Sequence, residues 1–190
     1  MNLFFDTEFT GLHKDTTLVS IGIVAENGQR FYAESSDYNE SQCDDWLKEN
    51  VLKHTILGGN DTLATRLGED NDTTVVLGSK ENIQYELSDW LKQFDSVQFV
   101  SDVCHYDMVL LIDIFGGAFD LPKNVSAVCH DINQDIAKHC GISEKEAFDK
   151  SREEIVAELC GEFIAGDKHN ALYDAEVIKA IYEAMEEKHD

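Results

Sequence analysis

The chain opens with the stretch LFFDTEFTGL (residues 3–12), in which an apolar run ends in the carboxylates Asp6 and Glu8. A β-strand alternates its side chains between two faces, so these two residues share one face and Thr7 takes the other. Like charges this close resist joint ionisation unless a cation lies between them, and Mg²⁺ and Mn²⁺ prefer carboxylate oxygens. The pair therefore predicts a metal site, although Asp-x-Glu alone is also common on solvated strand ends.

The residues that follow predict a mixed α/β fold. Runs at 18–25 and 30–33, joined by the hairpin signal Asn27-Gly28, extend the first strand into an antiparallel meander. Short apolar runs at 97–100 and 125–128 predict two more strands, which gives a five-stranded central sheet with helices packed on it. Helical patterns cover residues 46–52, 79–94, 105–115, 131–140, 151–163 and 172–188. The acidic segment 58–76 is expected to be a mobile loop with a short helix.

Length and composition indicate one ordinary globular domain over residues 1–190, with 43% hydrophobic residues. No apolar run approaches the roughly 18 residues that a membrane span needs, and no secretory signal is expected. The five cysteines are odd in number, are widely spaced and include no C-x-x-C, which argues against a disulfide framework or a zinc ribbon. We expect reduced thiols in a cytoplasmic protein.

The net charge of −23 restricts the possible partners. A protein that grips long nucleic acid needs a basic face, which 15 Lys and Arg against 38 Asp and Glu do not easily supply. The charge argues against extended duplex binding and is compatible with an enzyme that holds a few nucleotides through bound metal ions. Solubility, or adaptation to a salty environment, is the favoured explanation for most of the charge.

Further carboxylates occur at other element boundaries. Asp102 and Asp107 follow the strand predicted at 97–100, and both are candidate ligands. Asp107 lies in the first turn of the next helix, where it faces back over the strand ends or simply caps that helix. Asp174 lies one turn into the last helix on its apolar side, where a carboxylate needs a partner. His169 precedes that helix and either reaches the site or is solvated.

The motifs together identify the chain as similar to the DEDD superfamily of 3′→5′ exonucleases, in the H-x₄-D (DEDDh) subgroup. FFDTEFTGL resembles the first motif, CHYD the second and HNALYDA the third, in the same order from residue 4 to about residue 185. Within the subgroup the chain resembles the small mycobacterial-type exoribonucleases, relatives of RNase T and oligoribonuclease. Many members have Asn four residues before the second-motif Asp, where this chain has Val103, which puts one substrate contact in doubt.

This resemblance implies an RNase H-like exonuclease fold and a two-metal mechanism with Mg²⁺ or Mn²⁺. Asp6 is expected to bridge both ions, Glu8 and Asp174 to hold the first, and Asp107 to support the second directly or through water. His169 is expected to be the general base, with a pKa raised by the nearby carboxylates and lowered again by bound metal.

The resemblance also assigns substrate-binding residues after the first motif. Phe9 and Leu12 are expected to stack on the terminal base, with core packing as the alternative. Thr10 and Gly11 let the chain turn close to the substrate. Tyr106 completes the set, although packing is the commoner role of such a tyrosine.

The expected activity is release of nucleoside 5′-monophosphates from the 3′ end of single-stranded RNA or short 3′ overhangs, by a homodimer. Nothing in the sequence reads a 2′-hydroxyl, so a 3′→5′ exodeoxyribonuclease of the proofreading or phage type is an alternative. A catalytically silent nucleic-acid-binding module is another, and an acidic Mg²⁺- or Ca²⁺-binding protein a third, although no EF-hand loop pattern is present.

Overall fold

The computed structural model describes residues 1–161, 164, 166 and 168–186. Six strands form one mixed sheet in the order β4-β3-β2-β1-β5-β6. The pairs β1–β2 and β2–β3 are antiparallel, as the meander predicts, and the other three pairs are parallel. The strands are β1 (Asn2–Phe9), β2 (Leu18–Ala25), β3 (Arg30–Ser35), β4 (Thr73–Gly78), β5 (Gln98–Ser101) and β6 (His130–Asp131).

Eight α-helices and two short 3₁₀ helices (Glu40–Gln42 and Leu52–His54) lie within the described residues. The α-helices are α1 (Asp45–Asn50), α2 (Asp61–Glu69), α3 (Lys80–Leu91), α4 (Cys104–Phe115), α5 (Ile132–Cys140), α6 (Glu144–Asp149), α7 (Arg152–Cys160) and α8 (Ala171–Glu186). The periodic patterns thus predicted every α-helix except α2, which was expected only as a short helix within segment 58–76, and α6, which was not predicted. The last two positions of each of the helices predicted at 151–163 and 172–188 lie outside the described residues.

The alternation of β1 separates the core from the site. Leu3 and Phe5 pack into a core with α3 and α4 on one face of the sheet. Phe4 packs on the opposite face, in a core with α5, α7 and α8. Asp6 and Glu8 follow Phe4 on this second face. The two carboxylates therefore lie at the edge of the apolar core between β1 and α8.

Gly22 lets α8 lie directly on the sheet beside Asp6. In the antiparallel β1–β2 register, Gly22 pairs with Asp6, so both residues present the same face. A Cβ at Gly22 would lie 2.3 Å from the backbone nitrogen of Leu172 and 2.4 Å from the carbonyl of Ala171. Only glycine permits this approach, which brings the start of α8 to the end of β1.

The sheet has six strands rather than the predicted five, and two parts of the prediction need correction. Segment 58–76 contains the expected short helix, α2, but its remainder enters the edge strand β4. Apolar residues occupy both exposed and buried positions of β4, with Val75 and Leu77 exposed and Val76 buried, so its sequence lacks the alternation that signals a strand. The run at 125–128 contributes a single bridge from Val125 to Val97, and the strand that follows is the two-residue β6.

A buried glutamate ties the segment before α2 to the sheet. Glu34 of β3 accepts hydrogen bonds from the backbone nitrogens of Ile56 and Leu57 at 2.6 and 2.8 Å, and from the Tyr32 hydroxyl at 2.6 Å. A buried carboxylate requires such donors to offset its lost hydration. These bonds fix the chain between α1 and α2 against β3.

Across the described residues, none of the helices combines the length and the apolar character that crossing a bilayer requires.

Candidate active site

A first group of carboxylates forms where β1 and α8 meet. Ligand oxygens of Asp6, Glu8 and Asp174 all lie within 4.8 Å of one another. The first two come from alternate positions of β1, and Asp174 comes from the first turn of α8. Asn170 caps this helix by accepting the Tyr173 N–H at 3.2 Å, which orients the turn that carries Asp174.

A second group shares Asp6 with the first. Ligand oxygens of Asp6, Asp102 and Asp107 also lie within 4.8 Å of one another. Asp107 is 1% exposed in the first turn of α4. The Thr7 hydroxyl donates to its Oδ1 at 2.6 Å, and the Ser101 hydroxyl donates to its Oδ2. The Thr7 side chain lies on the opposite face of β1 from Asp6 and Glu8, and it positions a carboxylate of the second group.

Burial and mutual repulsion make these carboxylates hard to ionise together. Burial, reinforced by the charges of Asp107 and Asp174, raises the pKa of Asp6 well above its usual range. Burial and the charge of Asp174 do the same to the pKa of Glu8. Burial raises the pKa of both Asp107 and Asp174 to about 7, with the charge of Asp102 adding to each shift. A cation between the groups would offset this cost.

The donor set fits two hard divalent cations. Two triads of carboxylate oxygens converge, they share Asp6, and their charges repel one another. Oxygen ligands of this kind suit Mg²⁺ and Mn²⁺ rather than softer metals. The residues would therefore hold two ions, with Asp6 common to both.

His169 lies beside the first group in a strained backbone conformation. Its φ of 64° is in the left-handed region that residues other than glycine rarely adopt. Its N–H donates to Asp174 Oδ2 at 3.0 Å, which holds this turn against the start of α8. The imidazole Nδ1 lies 4.0 Å from Glu8 Oε1, and the side chain is 34% exposed. The ring thus reaches both the carboxylates and solvent.

The pKa of His169 departs from the expectation that nearby carboxylates raise it. Burial lowers the pKa of this imidazole, and the positive charges of Lys168 and His54 add to the effect, although Glu153 opposes it. Desolvation outweighs the carboxylates because it penalises the charged ring directly. His169 is therefore held neutral at neutral pH and able to accept a proton.

The carboxylates open into a cleft of about 570 Å³. Its acidic lining consists of Asp6, Glu8, Asp102, Asp107, Asp149, Glu153 and Asp174, and its basic lining of Lys150, Arg152 and Lys168. Val103 also lines this cleft, so an apolar side chain stands where many members of the superfamily carry Asn. A second, more apolar cleft of about 370 Å³ adjoins the first at Glu8, Phe9 and Leu12.

The proposed substrate residues have different surroundings. Phe9 and Leu12 line both clefts, and Leu12 is 77% exposed. Tyr106 stacks behind Phe9 with ring centroids 5.1 Å apart and an interplanar angle of 13°, which favours the packing role for Tyr106. Thr10 is buried, and its hydroxyl donates a hydrogen bond to Gln42 Oε1 at 2.5 Å. Gly11 has a φ of 153°, and this backbone conformation would be strained for any residue with a side chain.

Trp46 is a site residue that sequence reasoning did not find. It belongs to α1, lines the second cleft and is 56% exposed. Its ring meets the His169 ring edge-on, with centroids 5.3 Å apart and an interplanar angle of 77°. The helical spacing at 46–52 predicts α1 but not which of its residues face the site, because the path from β3 to α1 sets that direction.

Comparison with known proteins identifies a family model and relatives similar to this chain. A family model described as the 3′-5′ exoribonuclease Rv2179c-like domain matches residues 1–185. The chain is 28% identical over 136 residues to a protein named 3′-5′ exoribonuclease Rv2179c, from Mycobacterium tuberculosis strain H37Rv. That alignment covers 70% of this chain and 73% of the mycobacterial protein.

Solved structures share the fold at low identity. The nuclease domain of 3′hExo, a DEDDh family member bound to rAMP, superposes with a TM-score of 0.69 at 11% identity, over 98% of this chain and 92% of that one. S. pombe Pop2p, in a form that binds Mg²⁺ and Mn²⁺, superposes with a TM-score of 0.55 at 15% identity, over 95% of this chain and 81% of that one. These likenesses confirm the predicted RNase H-like exonuclease fold.

Proposed function

This chain belongs to the Rv2179c-like 3′-5′ exoribonuclease domain family, and from that premise we propose that it shortens single-stranded RNA, or short 3′ overhangs, from the 3′ end and releases nucleoside 5′-monophosphates. The observation that carries the proposal is the sharing of Asp6 by two carboxylate triads, beside a neutral and partly exposed histidine. Hydrolysis of a phosphodiester needs both parts of this arrangement: ligands for cations and an acceptor for the proton of water.

In the proposed mechanism, two Mg²⁺ or Mn²⁺ ions would lower the pKa of the attacking water and offset charge on the phosphate. Asp6 would contribute to both ion sites, Glu8 and Asp174 would hold the first ion, and Asp107 would support the second. Thr7 and Ser101 keep Asp107 oriented through their hydrogen bonds. The protein thus supplies a preformed set of oxygens, and their unfavourable mutual repulsion is relieved when the ions bind.

His169 is the proposed general base. Its lowered pKa leaves the ring free to accept a proton from the attacking water. The hydrogen bond from its backbone N–H to Asp174 ties the position of the ring to the carboxylates. His169 is partly exposed, so it can pass the proton on to solvent. Attack of the water oxygen on phosphorus breaks the P–O3′ bond, and the leaving 3′ oxygen takes up a proton from solvent.

The second cleft is the proposed site for the terminal base. Leu12 and Phe9 form one wall next to the carboxylates, and Trp46 contributes an exposed ring to the same cleft. A nucleobase stacks on aromatic and apolar surfaces of this kind without regard to its identity, which suits an enzyme that removes successive nucleotides of any sequence.

We expect Trp46→Ala to raise KM for an RNA oligonucleotide about tenfold, because one base–aromatic stack contributes roughly 1–3 kcal/mol. The turnover number should fall much less, since stacking holds substrate and transition state alike. Steady-state kinetics on a short 5′-labelled oligonucleotide would measure both. Trp46→Phe should recover most of the affinity, and Tyr85→Ala, which removes an exposed aromatic on α3, is the control. An unchanged KM in Trp46→Ala would remove Trp46 from the substrate site.

Metal removal tests the activity itself. With Mg²⁺ or Mn²⁺, a denaturing gel of 5′-labelled RNA should show a ladder that shortens by one nucleotide at a time from the 3′ end. EDTA should abolish the ladder, and added Mg²⁺ should restore it, because the carboxylates alone cannot activate water. Intact RNA with every metal would refute the proposal.

The same gel with DNA of matched sequence separates the proposed exoribonuclease from an exodeoxyribonuclease. Faster degradation of RNA supports the proposal, whereas equal or faster degradation of DNA replaces it with the alternative. Binding of either strand without cleavage would indicate a silent nucleic-acid-binding module.

Assembly as a homodimer is part of the proposal, and its support is the resemblance of the sequence motifs to the exonuclease subgroup. Sedimentation equilibrium would measure it directly: we expect a species of twice the 21.4 kDa chain mass. A monomer at the concentration where the enzyme is active would remove the dimer from the proposal.

A further inference from the structure

Asp107 has little capacity left for a cation. Its Oδ1 accepts both the N–H of Thr7 at 3.2 Å and the Thr7 hydroxyl at 2.6 Å, and its Oδ2 accepts the Ser101 hydroxyl. Ser101 is the donor in the last bond, because an ionised carboxylate only accepts hydrogen bonds. The Ser101 oxygen also accepts the N–H of Val103 at 3.0 Å, which orients the hydroxyl. A carboxylate offers about four lone-pair positions, so three of those on Asp107 are occupied by the protein. The second ion therefore needs a stronger ligand than Asp107 alone.

Asp102 supplies such a carboxylate. It lies in the turn between β5 and α4, and one of its oxygens is within 4.8 Å of the ligand oxygens of both Asp6 and Asp107. Its side chain is 14% exposed, so the charge is held at the wall of the cleft rather than in solvent. It stands one residue before Val103 and outside the matched motif.

Arg152 holds Asp102 in place. Its Nε donates to Asp102 Oδ2 at 2.6 Å, and no described residue donates a hydrogen bond to the other oxygen. The other guanidinium nitrogens donate to Asn133 Oδ1 at 2.6 Å and to the Ala147 carbonyl at 3.0 Å. Asn133 in turn donates to the Asp102 carbonyl at 2.7 Å. The planar guanidinium is thus bound on three sides, which fixes the rotamer of the aspartate.

We propose that Asp102 is a third carboxylate ligand of the ion site formed by Asp6 and Asp107, and that Arg152 is the positioning residue that holds the Asp102 carboxylate beside that site. This inference rests on the proposed two-metal function. It differs from a purely structural ion pair between α7 and the β5–α4 turn, because it requires an effect on metal binding.

Metal affinity in the absence of RNA gives the direct test. Mn²⁺ would be titrated into the full chain and the free ion counted by its electron paramagnetic resonance signal. We expect the wild type to bind two ions. Asp102→Asn should lower the affinity for one ion by at least about tenfold and change the affinity for the other by less than about twofold. Arg152→Lys keeps the positive charge but loses the planar guanidinium. We expect it to lower the affinity for the same ion by about tenfold, because substitution of a residue that orients a ligand commonly has this effect.

A double variant shows whether Arg152 acts through Asp102. Adding Arg152→Lys to Asp102→Asn should weaken Mn²⁺ binding no further than Asp102→Asn alone. Arg30→Lys is the matched control, because Arg30 also forms ion pairs through its guanidinium, with Asp70 and Glu176, but it lies on β3. It should leave both Mn²⁺ affinities unchanged. Circular dichroism and Tm would show that each variant is folded.

Two results would overturn the inference: unchanged binding of both ions in folded Asp102→Asn, or an effect of Arg152→Lys that persists without Asp102. Either result would leave the nuclease proposal standing if the wild type binds two ions and degrades RNA. A wild type that binds no Mn²⁺ and leaves RNA intact would instead refute the proposed function itself.

Discussion

Asp6→Asn is expected to lower RNA hydrolysis at least about 1,000-fold and, at the same time, to stabilise the metal-free protein. The loss of activity follows because Asp6 belongs to both carboxylate triads, so one substitution weakens both ion sites. The gain in stability follows because burial and neighbouring acids raise the pKa of Asp6. A carboxyl whose pKa is raised on folding destabilises the protein at any pH above its unfolded value, and the neutral amide removes that cost.

The two effects separate in thermal unfolding at about pH 7.5. In EDTA we expect the Tm of Asp6→Asn to exceed that of the wild type by about 2–4 °C, the result of removing about 1 kcal/mol of repulsion. Saturating Mg²⁺ should raise the Tm of the wild type but not that of the variant, since ligands stabilise only the state that binds them.

Asp45→Asn removes a fully exposed carboxylate of α1 and should change neither Tm nor rate. A metal-free Asp6→Asn that is less stable than the wild type would show that Asp6 holds the fold together rather than straining it.

Gly22→Ala is expected to damage both stability and activity. The new methyl would lie 2.3 Å from the Leu172 nitrogen and 2.4 Å from the Ala171 carbonyl, and both are backbone atoms that no rotamer change can move. Overpacking of this kind costs about 3 kcal/mol, which corresponds to a fall in Tm of about 6–12 °C. The start of α8 must shift away from β2 and carry Asp174 with it.

A displacement of about 1 Å in a catalytic group can cost about 100-fold in rate, so we expect kcat of Gly22→Ala to fall at least tenfold at temperatures where the variant is folded. Denaturant unfolding and single-turnover cleavage would measure the two losses. Gly68→Ala is the matched control: it lies within α2 with nothing near the added methyl, and it should be neutral or slightly stabilising. Wild-type behaviour of Gly22→Ala would mean that α8 sits farther from the sheet than described.

The sequence was most informative where chemistry follows from local spacing. Alternation along β1 placed Asp6 and Glu8 on one face without knowledge of the rest of the fold. The interval from His169 to Asp174 spans one helix start, so the two remain neighbours in space. The meander and nearly every helix were predictable for the same reason, because periodicity and turn signals are local properties.

Features that depend on partners distant in sequence were not predictable. β4 exists as a strand because it pairs with β3, and its own residues lack alternation. Trp46 reaches His169 from 123 positions away in the sequence. The pairing of Asp102 with Arg152 joins residues 50 positions apart, and no motif spacing foretells it. The lowered pKa of His169 was missed because burial is a property of the folded chain.

The acidic lining of the cleft has a kinetic consequence. Seven carboxylates and three cationic side chains line it, on a chain of net charge −23, so an approaching polyanion is repelled on its way to the cleft. Screening shortens the reach of that repulsion from about 30 Å at 0.01 M salt to about 8 Å at 0.15 M. Substrate capture should therefore quicken as salt rises over this range, whereas most nucleic-acid-binding proteins lose affinity as counterions return. A long strand carries more charge into the same field than a short one, so we expect this acceleration by salt to be larger for long strands than for short ones.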